Sequence, residues 1–276
     1  MSTPPAAPAV RPLVQGVVTR PLPRPDATLR LFLFHHAGGS HLLYRGWEQF
    51  FPGDWELCLV DAPGRGRLSD RPALDDADRL IDHLDRELAA WLDRPYAFFG
   101  HSMGALVAWE LANRLTASGR RPPLWLGLSS CGAPSTGHGS GPRARHELTD
   151  PELRQWLREL GATPPAVLED DLLWKVFAPT FRSDFALVDT WRPDPAATLP
   201  VALSSFGGTA DRLVDRRRLA AWEHHTHDFR GLHVYAGDHF YLTAQPRPVT
   251  RQIVAAVSAV RRAGPAVPAA DAVRAG

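Results

Sequence analysis

Ser102, Asp211 and His239 are the residues of this chain whose types and order could do nucleophilic chemistry. A serine hydroxyl is a poor nucleophile at neutral pH and needs an adjacent base, itself oriented by a third group. Ser102 stands in Gly100-His101-Ser102-Met103-Gly104, after the apolar run Tyr96-Ala97-Phe98-Phe99 and before a stretch with helical character. A serine between two glycines at such a junction forms a nucleophile elbow, a turn so sharp that only glycine tolerates the crowding on either side. His239 lies in Gly237-Asp238-His239-Phe240-Tyr241, just past the last apolar run, where a loop can return an imidazole over the elbow. It would take the serine proton as base and give it to the leaving group as acid. Asp211 follows Phe206-Gly207-Gly208-Thr209-Ala210 and would hold the imidazole tautomer and offset its charge.

Other residues compete for these roles. Asp238 adjoins His239, but neighbouring side chains on extended backbone point apart. Asp215 lies one helical turn past Asp211 and reads as a surface charge. His101, inside the elbow, reads as a packing residue that holds the loop. His224, His225 and His227 form a dense cluster, yet no cysteine or repeated acidic ligand stands at metal spacing, so they read as polar surface at a helix end. No metal or cofactor is called for. The serial order serine, aspartate, histidine is that of α/β-hydrolases. In that architecture the oxyanion of the tetrahedral intermediate takes one backbone N–H from the residue after the nucleophile, here Met103, and one from the loop after an early strand. That loop is His36-Ala37-Gly38-Gly39, and Ala37 is the expected donor.

The elements needed to position these groups follow from the apolar pattern. Short apolar runs at residues 29–35, 55–60, 95–99, 124–128, 200–206 and 232–235 read as strands, several of them emptying into glycine-rich loops. Residues 76–92 carry Leu80, Leu84 and Leu88 four apart, an amphipathic helix. A helix after the elbow runs to about residue 118, with Ala105, Ala108 and Ala112 on one face for close approach to a sheet. A last helix spans residues 246–262, its apolar face made by Ile253, Val254, Val257 and Val260. Strands alternating with helices predict a parallel sheet with helices on both faces, and ligands at the carboxyl ends of the strands. Between residues 133 and 199 the alternation stops and helical pieces follow one another, as in a lid; Pro179 is expected to bend or break the helix carrying Leu173, Phe177, Phe181 and Phe185. The expected organisation is thus a tail over residues 1–28, a core of residues 29–132 and 200–262, a helical lid over 133–199, and a second tail over 263–276.

Composition excludes several classes. Across 276 residues, 44% hydrophobic and 22% charged content is ordinary for a soluble globular protein, and the net charge of +1 speaks for neither nucleic acid nor membrane as partner. The first 28 residues hold seven prolines and no run long enough for a signal peptide or a membrane span. Cys58 and Cys131 lie in or beside apolar runs, which suits buried reduced thiols and a cytoplasmic location. Arg216-Arg217-Arg218 reads as a solvated helix face, with contact to an acidic partner as the alternative.

With these residues in hand, the chain resembles the type II thioesterases, the discrete editing hydrolases that accompany polyketide synthases and nonribosomal peptide synthetases. The resemblance rests on Phe34-His35-His36-Ala37-Gly38-Gly39, Pro63-Gly64-Arg65, Gly100-His101-Ser102-Met103-Gly104-Ala105, Phe181-Arg182-Ser183-Asp184-Phe185, Gly208 to Asp211, and Gly237-Asp238-His239-Phe240-Tyr241-Leu242. It covers nearly all of residues 29–262. It implies an α/β-hydrolase fold and a monomer acting on acyl groups linked by thioester to the phosphopantetheine arm of a carrier protein. It also implies an acyl chamber under the lid, for which Trp156, Leu172, Phe177, Phe181 and Phe185 are the candidates. The family usually has proline where this chain has His35, which leaves the turn beneath the oxyanion loop less rigid. Two other functions use the same residues differently: an acyltransferase or cyclising, product-releasing enzyme with the same triad, and an inactive protein that only docks carriers.

Overall fold

The computed structural model describes residues 12–137 and 143–263. Eight strands form one sheet: β1 (Leu13–Gln15), β2 (Val18–Arg20), β3 (Leu29–Phe34), β4 (Trp55–Val60), β5 (Tyr96–His101), β6 (Trp125–Ser129), β7 (Leu199–Gly208) and β8 (Thr226–Tyr235). Their order across the sheet is β1-β2-β4-β3-β5-β6-β7-β8. Strands β3 to β8 pair in parallel, and β1 and β2 form an antiparallel edge. Every residue of β3, β4, β5 and β6 is buried, which is why these segments read as mostly apolar runs, with Arg30 and Glu56 as their paired exceptions.

Helices α1 (Ala77–Leu88) and α2 (Met103–Ala117) cover one face, and α8 (Pro246–Ala263) covers the other. The Asp76 carboxylate accepts from the Arg79 amide at 2.9 Å and caps α1, whose Leu80, Ile81, Leu84 and Leu88 are buried. Ala105, Ala108 and Ala112 are fully buried on α2, so the helix after the elbow lies close against the sheet, as expected.

The edge hairpin corrects the expectation of a tail over residues 1–28. Leu13–Gln15 and Val18–Arg20 are strands, and the buried Glu56 carboxylate on β4 anchors the segment, accepting from Arg20 Nη1, the Arg24 amide and Arg30 Nε, each at 2.9 Å. An acid at that depth must be paired, and the pairing draws the proline-rich segment onto the sheet. Residues 1–11 and 264–276 lie outside the described residues.

Between β6 and β7 come helices α3 (Asp150–Leu160), α4 (Pro165–Glu169) and α5 (Asp171–Thr190), with a small core of their own around Leu153, Leu157, Trp174, Phe181 and Phe185. Helix α5 runs unbroken through Pro179, so of the expected bend or break the break does not occur. Pro179 lies on the solvent face, where water can satisfy the carbonyl that its missing N–H leaves unpaired. Short helices α6 (Arg216–Ala220) and α7 (Tyr241–Ala244) follow β7 and β8. Among the described residues no helix is long and apolar enough to cross a membrane.

Candidate active site

Ser102 sits between β5 and α2 with φ 55° and ψ −117°, a strained conformation for a residue with a side chain. The sequence around it leaves the chain no other course. A Cβ on Gly100 would collide with the Gly104 carbonyl, and one on Gly104 would collide with the Phe34 and His35 carbonyls. The Ser102 amide donates to the Ser129 carbonyl at 2.8 Å, tying the turn to the end of β6. Beneath it His101 is fully buried; its Nδ1 and the Tyr241 hydroxyl both meet the Ser129 hydroxyl, at 2.9 and 2.7 Å. The His101 ring also lies 5.2 Å from that of His239, so it packs behind the imidazole in the role read for it.

Opposite the elbow, His239 Nδ1 donates to Asp211 Oδ2 at 2.9 Å, and both side chains are almost fully buried. The other carboxylate oxygen accepts from the Leu213 and Val214 amides at 2.9 and 3.1 Å. Burial alone would raise the Asp211 pKa. The His239 hydrogen bond and charge, the Leu213 amide and the Ser130 hydroxyl outweigh it and hold the carboxyl below its ordinary range. Because a carboxylate only accepts, the Nδ1 position carries a proton and Nε2 is left as the basic nitrogen. Ser102 and His239 line one cavity of about 530 Å³ without being hydrogen bonded to each other, a contact that often closes only around substrate.

The rival acids are engaged elsewhere. Asp238 Oδ1 accepts from the Phe240 amide at 2.8 Å, and Asp215 Oδ1 caps α6 through the Arg218 amide at 2.8 Å. His225 is corrected from surface to interior. It is 1% exposed, with Nδ1 donating to the Ala197 carbonyl at 2.8 Å and Nε2 accepting from Ser135, whereas His224 and His227 are exposed. Among the described residues no group of three histidines, cysteines or carboxylates is clustered as metal ligands.

The two amides expected to serve as oxyanion donors come from different elements. Met103 opens α2, where an N–H has no partner within the helix, and Ala37 stands in the loop after β3. Among the described residues neither amide donates to a protein acceptor. Side chains from distant segments hold the Ala37 loop. Asp184 on α5 accepts from the Gly38 amide at 2.6 Å and from Arg65 Nη1 and Nη2 at 2.7 and 2.6 Å. Arg65 also donates to the Gly39 carbonyl at 3.2 Å and the Ala62 carbonyl at 3.1 Å. The Phe181 ring lies so close to Gly38, at φ +73°, that a Cβ there would overlap it. His35 supplies what the missing proline does not: Nδ1 donates to the His36 carbonyl at 2.7 Å, and Nε2 accepts from the Ala62 amide at 3.3 Å. Burial, with Arg65 nearby, lowers the His35 pKa to about 4, so the ring is neutral and can make both bonds at once. Arg65 and Asp184 stand in recognisable motifs, but no local pattern joins them, because the pair spans 119 positions of chain.

The cavity wall differs from the expected chamber. Trp156 lines it, and Phe185 packs edge-on beneath Trp156 at 5.1 Å. Phe181 is buried against Gly38 instead. Leu172 and Phe177 lie on the outer face of α5, 73% and 41% exposed. The cause is helical geometry. A step of four residues turns the helix by about 40° beyond a full turn, so a run at that spacing drifts from solvent to interior along its length. Leu148, Val188, Trp191 and Val214 supply apolar wall that the sequence did not single out.

Residues 29–257 match the family described as Thioesterase domain. The chain belongs to the thioesterase family. Gramicidin S biosynthesis protein GrsT from Aneurinibacillus migulanus is 32% identical over 219 residues, covering 78% of this chain and 84% of that protein. Among solved structures, the type II thioesterase BorB from the borrelidin biosynthetic cluster superposes with a TM-score of 0.76 at 32% identity, covering 85% of this chain and 94% of that one. YbtT, the type II thioesterase from the yersiniabactin pathway, superposes with a TM-score of 0.79 at 30% identity, covering 89% and 99%. This thioesterase is thus of type II, an α/β-hydrolase whose sheet carries helices on both faces, as the sequence resemblance implied. It is a serine thioester hydrolase of the polyketide and nonribosomal peptide group.

Proposed function

We propose that this thioesterase frees carrier proteins of unwanted acyl groups, hydrolysing the thioester to the phosphopantetheine arm with Ser102 as nucleophile, His239 as base and acid, and Asp211 as orienting carboxylate. The observation that carries the reading is the buried His239–Asp211 pair facing the cavity that Ser102 also lines. Ser102 Oγ attacks the thioester carbonyl as His239 Nε2 takes its proton. The Met103 and Ala37 amides stabilise the resulting oxyanion. Collapse expels the arm as a thiol that receives the proton from His239, leaving an acyl-serine. Water, deprotonated by the same imidazole, then releases the acid and regenerates Ser102. Asp211 stays ionised throughout, consistent with its depressed pKa. The segment between β6 and β7 acts as the lid, its Trp156 and Leu148 contributing acyl-facing wall.

The test is release of free acid from a panel of acyl-loaded carriers and acyl N-acetylcysteamine thioesters. Wild-type protein releases acid, and Asp211→Asn falls about 10⁴-fold while Asp238→Asn stays within a few-fold of wild type. The reverse ranking moves the orienting role to Asp238. Acyl transfer to a second thiol without free acid replaces editing by transfer, and failure of a fluorophosphonate to label Ser102 leaves only a docking protein.

A further inference from the structure

The cavity beside Ser102 is one-sided in charge. Arg143, Arg145, Arg212 and Arg218 line it, and among the described residues no carboxylate does. Composition does not explain this, since the whole chain balances 31 Lys and Arg against 30 Asp and Glu. Two of the four guanidinium groups are neutralised from behind the wall: Arg143 by Glu152 at 2.9 Å, and Arg145 by Asp189, with Arg145 Nε to Oδ1 at 2.8 Å. Among the described residues the other two have no such partner. Arg218 is half-buried, and its guanidinium donates only to neutral oxygens: Thr136 Oγ1 at 3.4 Å, the Leu213 carbonyl at 3.2 Å and the Gly137 carbonyl at 2.9 Å. It lies flat on Gly132, where any Cβ would press on it. Of the five N–H donors of a guanidinium, three are thus used, and one on each terminal nitrogen remains. Arg212 makes no hydrogen bond or ion pair among the described residues. The carboxylate beside it in sequence, Asp211, is committed to His239 and two amides.

A half-buried cation without a counter-ion is costly in an isolated protein and is useful where a ligand brings the opposite charge. We propose that Arg218 and Arg212 form an anion-binding subsite of this cavity, which receives a carboxylate or phosphate oxygen of the substrate and so selects for anionic thioesters. The proposal rests on the function given above and adds the substrate class. Two parts of a carrier-bound substrate have that chemistry: the phosphate that joins the arm to the carrier, and a free carboxylate within the acyl unit. Arg216 and Arg217, by contrast, are exposed on α6, the solvated face expected for all three.

The experiment compares kcat/KM of wild type, Arg218→Gln, Arg218→Lys and Arg212→Gln on three thioesters: butyryl N-acetylcysteamine, succinyl N-acetylcysteamine and butyryl 4′-phosphopantetheine. The readout is the ratio of each anionic substrate to the neutral one. We expect Arg218→Gln and Arg212→Gln each to lower one of those ratios about tenfold, and Arg218→Lys to restore most of it. A drop on the succinyl substrate assigns the subsite to the acyl carboxylate; a drop on the phosphorylated one assigns it to the arm. Ratios unchanged within twofold in both glutamine variants overturn the proposal, since damage to the fold moves all three substrates together. Should Arg218→Gln not fold, Arg212→Gln alone decides, because that side chain is exposed and supports nothing. Failure of the wild type on all three substrates, butyryl N-acetylcysteamine included, counts against the parent function and is seen separately.

Discussion

The turn around Ser102 and the turn around Gly38 lie at the carboxyl ends of neighbouring strands, β5 and β3, and they are held in opposite ways. The first is held by what is missing. Gly100 and Gly104 lack the Cβ atoms that would strike main chain, so five consecutive residues suffice to build it. The second is held by what is added: a carboxylate 146 positions away on α5, the arginine that neutralises it, and an aromatic ring one helical turn before that carboxylate. The strained serine therefore rests on rigid local backbone. The Gly38 loop is tied to the helical segment between β6 and β7, so a shift of α5 would reach that proposed oxyanion donor and leave the one at Met103 alone.

Ser102→Ala tests the rigid side and carries the largest expected effect. Turnover should fall by about 10⁴-fold or more while the fold is kept, because the elbow backbone does not depend on the hydroxyl. Activity within tenfold of wild type means another nucleophile. On the other side, Asp184→Asn should lower kcat about 10²-fold with little change in KM, the cost of a misplaced oxyanion donor. The loss should be equal for acetyl and long acyl thioesters, since every substrate uses the same donors; a loss confined to long chains would make Asp184 part of the acyl wall. Gly104→Ala and Gly38→Ala compare the two turns by stability. The first should cost about 3 kcal/mol by urea denaturation, because backbone cannot give way. The second should cost about 1–2 kcal/mol, the strain of a positive φ beside a ring that can move. Equal losses would erase the distinction.

The remaining effect is a pH dependence. His35 has its pKa lowered to about 4 in the folded protein, against 6.5 for an ordinary histidine. The unfolded chain then takes up a proton that native His35 refuses, so this contribution is complete above pH 6.5 and is lost as pH falls toward 4. It amounts to about 3 kcal/mol at the low end. His35→Gln, which does not titrate, should flatten the fall in Tm between pH 6.5 and 4; an unchanged slope would assign it to other groups.

Much of this was legible in the residues alone. The buried strands, the capped amphipathic helix α1 and the alanine face of α2 follow from periodicity, and the elbow follows from glycine sterics. The failures are equally physical. The hairpin at residues 13–20 was hidden because its strands are three residues long and are drawn in by Glu56 from elsewhere. Phe177 was expected in the cavity because its spacing of four with Phe181 and Phe185 was taken as one face, whereas 3.6 residues per turn carries it outward; Leu172, outside that run, is more exposed still. Arg218 was grouped with Arg216 and Arg217, although the three point in different directions on a five-residue helix.

Chain order and short-range sterics, by themselves, determined the class of fold, the position of the strained serine and the candidates for its base and acid. Those are properties of adjacent residues, and they hold wherever the segment is placed. Which carboxylate the imidazole meets, what steadies the Gly38 loop and which arginines are left without a counter-ion were decided by the tertiary structure alone. Each depends on side chains brought together from 28 to 146 positions apart, and no local pattern records such a meeting.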